Sequence, residues 1–374
     1  MSRMVAIRRT APRRQVVVVA SAVCLLLLGG CSDAPGKDAW EYDPEREHRV
    51  AADRDATADQ IIEAGGPVHV ATSDDRTLVA WGVTSDDDEG PQQAAWRLYG
   101  EDGERLADGT LGQVSEQGAV PELTEVPDGF LLENYTGRRL RHIDPAGTVT
   151  DVPISRERVP ARPGDVLLES LERTGSDIYR PTEHQGYRLP RLPFGRPQGV
   201  ALDQRGTLWV LLSWDERTAP VASSPGGAGP WQRTAIELGR GIGYPQGLSL
   251  AGARVVVPTV RGNLKAVLTG VWTHSTDGNP ASPWTRLPPD GVDLGDMIFP
   301  EVYALPSGRL LIPNAHDDLF VQDADQSWSR LRLPKDAKYA RPAVTGDALF
   351  LLSGQDHQLY RSDDDGTTWD VVDR

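Results

Sequence analysis

From residue 67 onward the chain repeats one pattern: a proline, a short stretch of alternating apolar residues, a polar turn, and then a nearly continuous apolar run. The prolines are Pro67, Pro121, Pro163, Pro197, Pro245, Pro300 and Pro342, separated by 54, 42, 34, 48, 55 and 42 residues. The apolar runs cover 77–81, 129–132, 165–168, 207–212, 254–257, 309–312 and 348–352. Runs this short, bounded by turn residues, fit strands covered on both faces, and no long helical periodicity competes with them. A unit of several short strands recurring at this period matches a four-stranded blade. The expected fold class is therefore all-β, a β-propeller of seven four-stranded blades over residues 67–374. Pro163 opens the shortest repeat, which leaves six blades with an irregular insert as the alternative.

The N-terminus has a different character. Arg3, Arg8, Arg9, Arg13 and Arg14 precede an apolar run over 16–28. That is the layout of a secretion signal, and the run is too short to span a bilayer comfortably. It closes on Leu28-Gly29-Gly30-Cys31, which resembles the lipobox of bacterial lipoproteins. The resemblance implies cleavage before Cys31 and lipidation of its thiol; an ordinary cleaved signal is the alternative, and the export route stays open. Residues 1–30 are then the signal peptide, and 31–66 the lipidated cysteine with a flexible tether, in which Thr57 to Ala64 forms a short helix or an added strand. The expected location is the extracytoplasmic face of the cell membrane, with the lipid as anchor.

Cysteine and charge narrow the function classes. Of two cysteines, Cys24 would leave with the signal and Cys31 would be acylated, so neither a disulfide nor a cysteine-bound metal is expected. Stability must then come from the core, and a mature chain of about 344 residues is long enough to bury one. The net charge of −15 includes the five signal arginines, so the mature chain would carry about −20. Such a surface argues against nucleic acid and against anionic lipid headgroups as partners.

The last repeat contains Ser362-Asp363-Asp364-Asp365-Gly366-Thr367-Thr368-Trp369. Its Ser362, Asp364, Gly366, Thr368 and Trp369 match the pattern S-x-D-x-G-x-T-W. The physics is that of a tight hairpin: a carboxylate accepts turn N–H groups, glycine permits positive φ, and the indole packs beneath. Degenerate copies occur at Ser224 with Trp231, at Asp323 with Trp328, and at Ser275, Asp277, Gly278 and Trp284. The chain thus resembles the Asp-box, or BNR-repeat, propellers, which include sialidases and many non-enzymatic repeat proteins.

Catalysis finds little support. Tyr187-Arg188-Leu189-Pro190 resembles the sialidase F/Y-R-I-P motif, whose arginine grips the substrate carboxylate, but here it falls inside the repeats rather than ahead of them. The seven histidines show no metal-binding spacing, and no nucleophile elbow or phosphate loop is present. His316-Asp317-Asp318 is the one sequence cluster suited to a metal. No catalytic residue, no metal and no cofactor is expected.

If strands run A to D outward, the B–C and D–A loops open on one face, where propellers bind ligands around the channel mouth. The candidates there are Glu122, Gln198, Gln246 and Glu301, each beside a repeat proline, together with Arg261, His316, Asp317 and Arg341. Their mixed charge suits an envelope protein or polysaccharide. The expected function is a monomeric, membrane-anchored binding or assembly module, with an exo-sialidase-like glycoside hydrolase as the alternative.

Overall fold

The computed structural model describes residues 43–372 apart from 85–92, 114–121, 135–138, 169–176, 195–196, 240, 242, 263–266, 291, 296–300, 315–317, 336, 338–339 and 355–356. Cys31, His316 and Asp317 lie outside the described residues.

Seven sheets stand as blades in a ring, which fixes the count at seven rather than six. Blade 1 is β1 (Gly66–Ser73), β2 (Arg76–Val83), β3 (Gln93–Tyr99) and β4 (Arg105–Gln113). Blade 2 is β5 (Glu122–Val126), β6 (Gly129–Asn134), β7 (Arg139–Ile143) and β8 (Val149–Val152). Blade 3 draws on β9 (Ile154–Arg158), β10 (Val166–Leu168), β11 (Asp177–Arg180) and β12 (Gln185–Arg188). Blade 4 is β13 (Gly199–Leu202), β14 (Thr207–Leu211), β15 (Thr218–Pro225) and β16 (Gln232–Glu237). In blade 5 the inner strand is broken into β17 (Tyr244–Pro245) and β18 (Ser249–Ala251), followed by β19 (Arg254–Arg261), β20 (Val267–Ser275) and β21 (Thr285–Leu287). Blade 6 is β22 (Tyr303–Ala304), β23 (Leu310–Pro313), β24 (Leu319–Gln322) and β25 (Trp328–Arg330). Blade 7 is β26 (Ala340–Thr345), β27 (Ala348–Ser353), β28 (Leu359–Ser362) and β29 (Asp370–Val372).

The unbroken apolar runs have a direct cause. In β2, Val79 and Trp81 enter a core shared with blade 7, whereas Leu78 enters one shared with Phe130 and Leu132 of blade 2. In β27, Leu349 and Leu351 face blade 6, while Phe350 and Leu352 face blade 1. Successive side chains point to opposite faces, and both faces of a blade are covered, so every position is apolar.

Blade 3 departs from the pattern. Its sheet order is β10-β11-β12-β9, with β9 parallel to β12 at the outer edge. The Ala161 N–H donates to Gly226 O at 3.0 Å, and a Cβ on Gly206 would lie 2.6 Å from the Arg162 carbonyl carbon. Gly206 and Gly226 lie in the first-to-second and third-to-fourth strand turns of blade 4, so β10 starts at the face where other blades turn from first to second strand. Its strands β10, β11 and β12 thus run in the directions of the second, third and fourth strands elsewhere, and β9, borrowed from the preceding connection, completes the four.

The ring closes without exchanging strands, because all of blade 7 comes from the C-terminal repeat. The Thr72 N–H donates to Thr345 Oγ1 at 2.8 Å, and the Thr345 hydroxyl donates to Glu125 Oε2 at 3.1 Å. These bonds stitch blades 7, 1 and 2 together at the inner strands.

Residues 43–66, expected as part of the tether, are instead folded against the propeller. Helix α1 (Pro44–Ala52) is capped by Asp43, and α2 (Ala58–Ala64) begins with a reciprocal Thr57–Gln60 capping box. Of the two forms expected for Thr57 to Ala64, the helix is the one formed. Ile61 and Ile62 are buried among Trp81, Phe350 and Leu352, a burial that contributes on the order of 1.5–3 kcal/mol per side chain. The amide of Gln93 donates to Val50 O at 2.9 Å and Ala51 O at 3.1 Å, and Arg97 pairs with Asp59. A short polar stretch read as linker thus hides a two-residue apolar anchor.

The hairpin at Ser362–Trp369 ties blade 7 to blade 6. The buried Ser362 hydroxyl accepts the Gly366 N–H at 2.7 Å and donates to Asp364 Oδ1 at 2.8 Å. Asp364 also accepts the Thr368 N–H and hydroxyl, each at 2.8 Å, and these bonds hold its carboxyl below the usual range. Asp365 accepts from Arg309 Nη2 at 2.9 Å, and the Trp369 indole donates to Arg332 O at 3.2 Å. The Trp328 indole likewise donates to Pro288 O of blade 5 at 2.9 Å, and Ser224 Oγ accepts the Gly229 N–H at 2.8 Å. Trp328 and Ser224 thus each repeat one contact of the Ser362–Trp369 hairpin.

Candidate functional site

Of the residues singled out for the channel mouth, the six that are described lie at the starts of first strands or, for Arg261, at the end of a second strand. Glu122 begins β5 and pairs with Glu133, and Arg341 sits second in β26 opposite Leu352. The backbone of Gln198 donates to Leu211 O and that of Gln246 to Pro258 O, both at 2.9 Å, which fixes them at the start of their blades. Glu301 is exposed just ahead of β22 and accepts from the Tyr303 hydroxyl. Arg261 is exposed at the end of β19, where its guanidinium reaches Gly241 O at 3.5 Å. Five blades thus each contribute a polar or charged group to the same face. His69 on β1 is missing from the sequence reading; burial, with the Arg341 charge adding to it, lowers its pKa to about 4. The sequence gives no sign of which histidine lies near Arg341.

On the opposite face, blades 2 and 3 meet around three side chains that the sequence separates widely. Asp128 sits in the β5–β6 turn, His142 on β7, and His184 just after the 3-10 turn Pro181–Glu183. His142 Nε2 lies 3.4 Å from Asp128 Oδ1, and His184 Nε2 lies 3.0 Å from Asp128 Oδ2. The two imidazoles stand edge to face with centroids 4.5 Å apart. His142 is buried, which pushes its pKa down despite the opposing pull of Asp128, and its Nε2 has no hydrogen-bond partner. Asp128 Oδ1 is also buried without one. His184 adopts a left-handed backbone, φ 50° and ψ 45°, and its Nδ1 is 3.1 Å from the hydroxyl of fully buried Tyr179. Burial and the Asp128 charge raise the Tyr179 pKa well above the ordinary phenol value, so the hydroxyl keeps its proton. A cavity of about 370 Å³ adjoins the cluster, lined by both histidines with Asp144, Asp151, Thr148 and Thr150.

The offset of blade 3 creates this neighbourhood. In a regular blade the turn between second and third strands lies on the ligand-loop face; here the β11–β12 turn carrying His184 lies with the β5–β6 turn carrying Asp128. The sequence contains no local spacing that could announce the cluster.

The Tyr187–Arg188 pair occupies the third strand of blade 3, between β11 and β9. Tyr187 is buried, bonds Glu183 through its hydroxyl, and lies under the Arg180 guanidinium at 5.1 Å. Arg180 in turn forms a buried, two-pronged pair with Asp165, Nε to Oδ1 at 3.0 Å and Nη2 to Oδ2 at 2.8 Å.

No protein-family model and no curated protein sequence matches the chain. Among solved structures it is similar to the β-propeller domain of the Trilobed protease from Pyrococcus furiosus, a domain with an open Velcro topology. That likeness has 8% identity and a TM-score of 0.52, covering 83% of this chain and 96% of that one. It is also similar to PorZ, an essential surface component of the type-IX secretion system of Porphyromonas gingivalis. There the identity is 12% and the TM-score 0.51, over 83% of this chain but 38% of PorZ. At such identities the likeness is one of fold: the chain is a seven-bladed β-propeller.

Proposed function

We propose that this protein is an extracytoplasmic binding or assembly module, held at the membrane by a lipidated Cys31, whose B–C and D–A loop face engages an envelope protein or polysaccharide. The observation that carries this reading is the convergence of Glu122, Gln198, Gln246, Glu301 and Arg341 from five blades on one end of the ring. Side chains of both signs at a channel mouth offer directional contacts to a polar partner. The fold shared with PorZ, a bacterial surface component, is compatible with such a role. On the same footing the Ser362–Trp369 hairpin is read as an Asp box with a structural task.

The position of Arg188 weighs against the glycosidase alternative. A carboxylate clamp needs arginines on inner strands, and β12 is two strands away from the innermost β10. The test is co-purification from detergent-solubilised envelopes of the source organism. Wild type should retain a partner that Arg261→Glu/Glu301→Lys loses, with unchanged thermal stability. Cys31→Ser should leave the membrane fraction. Retention of every partner by the charge-reversed variant would place binding elsewhere.

A further inference from the structure

We infer that Asp128, His142 and His184 form a binding site for one divalent transition-metal ion, with Zn²⁺ the best match, at the seam of blades 2 and 3. Three potential ligand atoms, one per side chain, all lie within 4.8 Å of one another. Tetrahedral Zn²⁺ with bonds of about 2.0–2.1 Å holds neighbouring ligand atoms roughly 3.3–3.4 Å apart. The 3.4 Å between Asp128 Oδ1 and His142 Nε2 matches that edge, and His184 Nε2 reaches the other oxygen of the same carboxylate at 3.0 Å.

Two buried atoms argue that the site is built for a ligand. Asp128 Oδ1 and His142 Nε2 face each other without a hydrogen bond. Buried polar atoms are nearly always satisfied, and a site for a bound ion is one recognised reason for an exception. A cation between them would satisfy both. Space exists because residue 129 is glycine at φ 138°; a Cβ there would lie 2.2 Å from Ile143 O and 3.2 Å from His142 Nε2.

The surroundings resemble a metal site's outer shell. The Tyr179 hydroxyl oxygen can accept a hydrogen bond from His184 Nδ1–H, leaving the Nε2 lone pair for the ion; such partners orient ligand rings. Two imidazoles favour zinc and its neighbours over magnesium or calcium, which prefer all-oxygen sets. Three protein ligands leave a fourth position, and the adjoining cavity supplies room for water or an exogenous ligand there.

The experiment measures Zn²⁺ binding to purified full-length protein stripped with a chelator, by competition with a chromophoric chelator and by metal analysis. Wild type should bind one equivalent, and Co²⁺ in its place should give the intense visible bands of a tetrahedral centre. His184→Asn suits the left-handed backbone and should weaken Zn²⁺ at least tenfold while the metal-free protein melts as wild type does. Should that variant fail to fold, Asp128→Asn takes its place with the same expectation. Tyr179→Phe keeps all three ligands and should weaken binding by about tenfold. Less than half an equivalent in wild type, or undiminished affinity in the folded ligand variant, overturns the site.

Discussion

Removing Asp165 should unfasten blade 3, and the structure sets the scale of the loss. The Asp165 and Arg180 side chains are each 2% exposed, and their pair carries two parallel bonds of 3.0 and 2.8 Å. Asp165 Oδ2 also accepts the Arg162 N–H at 2.8 Å, closing the turn that launches β10. In Asp165→Ala the guanidinium keeps Pro160 O at 2.9 Å, the more distant Glu183 at 3.6 Å and the Tyr187 ring beneath it. Breaking a buried pair by deleting one partner costs about 3–5 kcal/mol, because the surviving charge stays desolvated. The remaining contacts of Arg180 place this case near the lower end. Urea unfolding followed by tryptophan fluorescence at pH 7 measures it. Asp165→Leu/Arg180→Met, which removes both charges and keeps apolar volume, should recover most of the loss. A deficit below about 1 kcal/mol in Asp165→Ala, or a double variant no better than the single one, would refute the assignment of this pair as the organiser of the blade.

The other expectations are simpler. His69 has a folded pKa of about 4 against 6.5 in the unfolded chain, so the unfolded state takes up its proton first as the pH falls. Its stabilising share is complete above about pH 6.5 and is lost on descending to 4, by about 2–3 kcal/mol after allowing for partial exposure. His69→Leu should flatten that part of the curve of stability against pH, and an unchanged curve would show that another group is responsible. Ser362→Ala leaves the buried Gly366 N–H without its acceptor and should cost about 1–3 kcal/mol in a thermal or urea melt. Asp364→Ala should cost less than Ser362→Ala, because its carboxylate is exposed and water can replace it; the reverse ranking would contradict the hairpin description.

The repeat was readable because a blade's second strand is apolar on both faces, and Leu349 to Leu352 illustrate why no polar residue interrupts it. The offset of blade 3 also left a trace. The apolar run starts 6 to 10 residues after the repeat proline in six blades, but only two after Pro163, too few for a first strand. The Asp128–His142–His184 cluster left none, since its members meet across a seam between blades that only the offset brings together. Helix α2 was half legible: its capping box is local chemistry, whereas its burial depends on Trp81 and Phe350 from opposite ends of the chain. The hairpin at Ser362–Trp369 is the most local feature, and there Ser362, rather than Asp364, holds the buried bond.

The central claim, that the ring binds through its B–C and D–A loop face, is tested most directly by a photo-activatable crosslinking residue placed at one position at a time in living cells of the source organism. Position 261 lies exposed at that face, and position 326 lies exposed in the β24–β25 turn on the other. Illumination should give a discrete, reproducible envelope adduct from position 261 and none from position 326. An adduct confined to position 326, or none from either, would contradict the account.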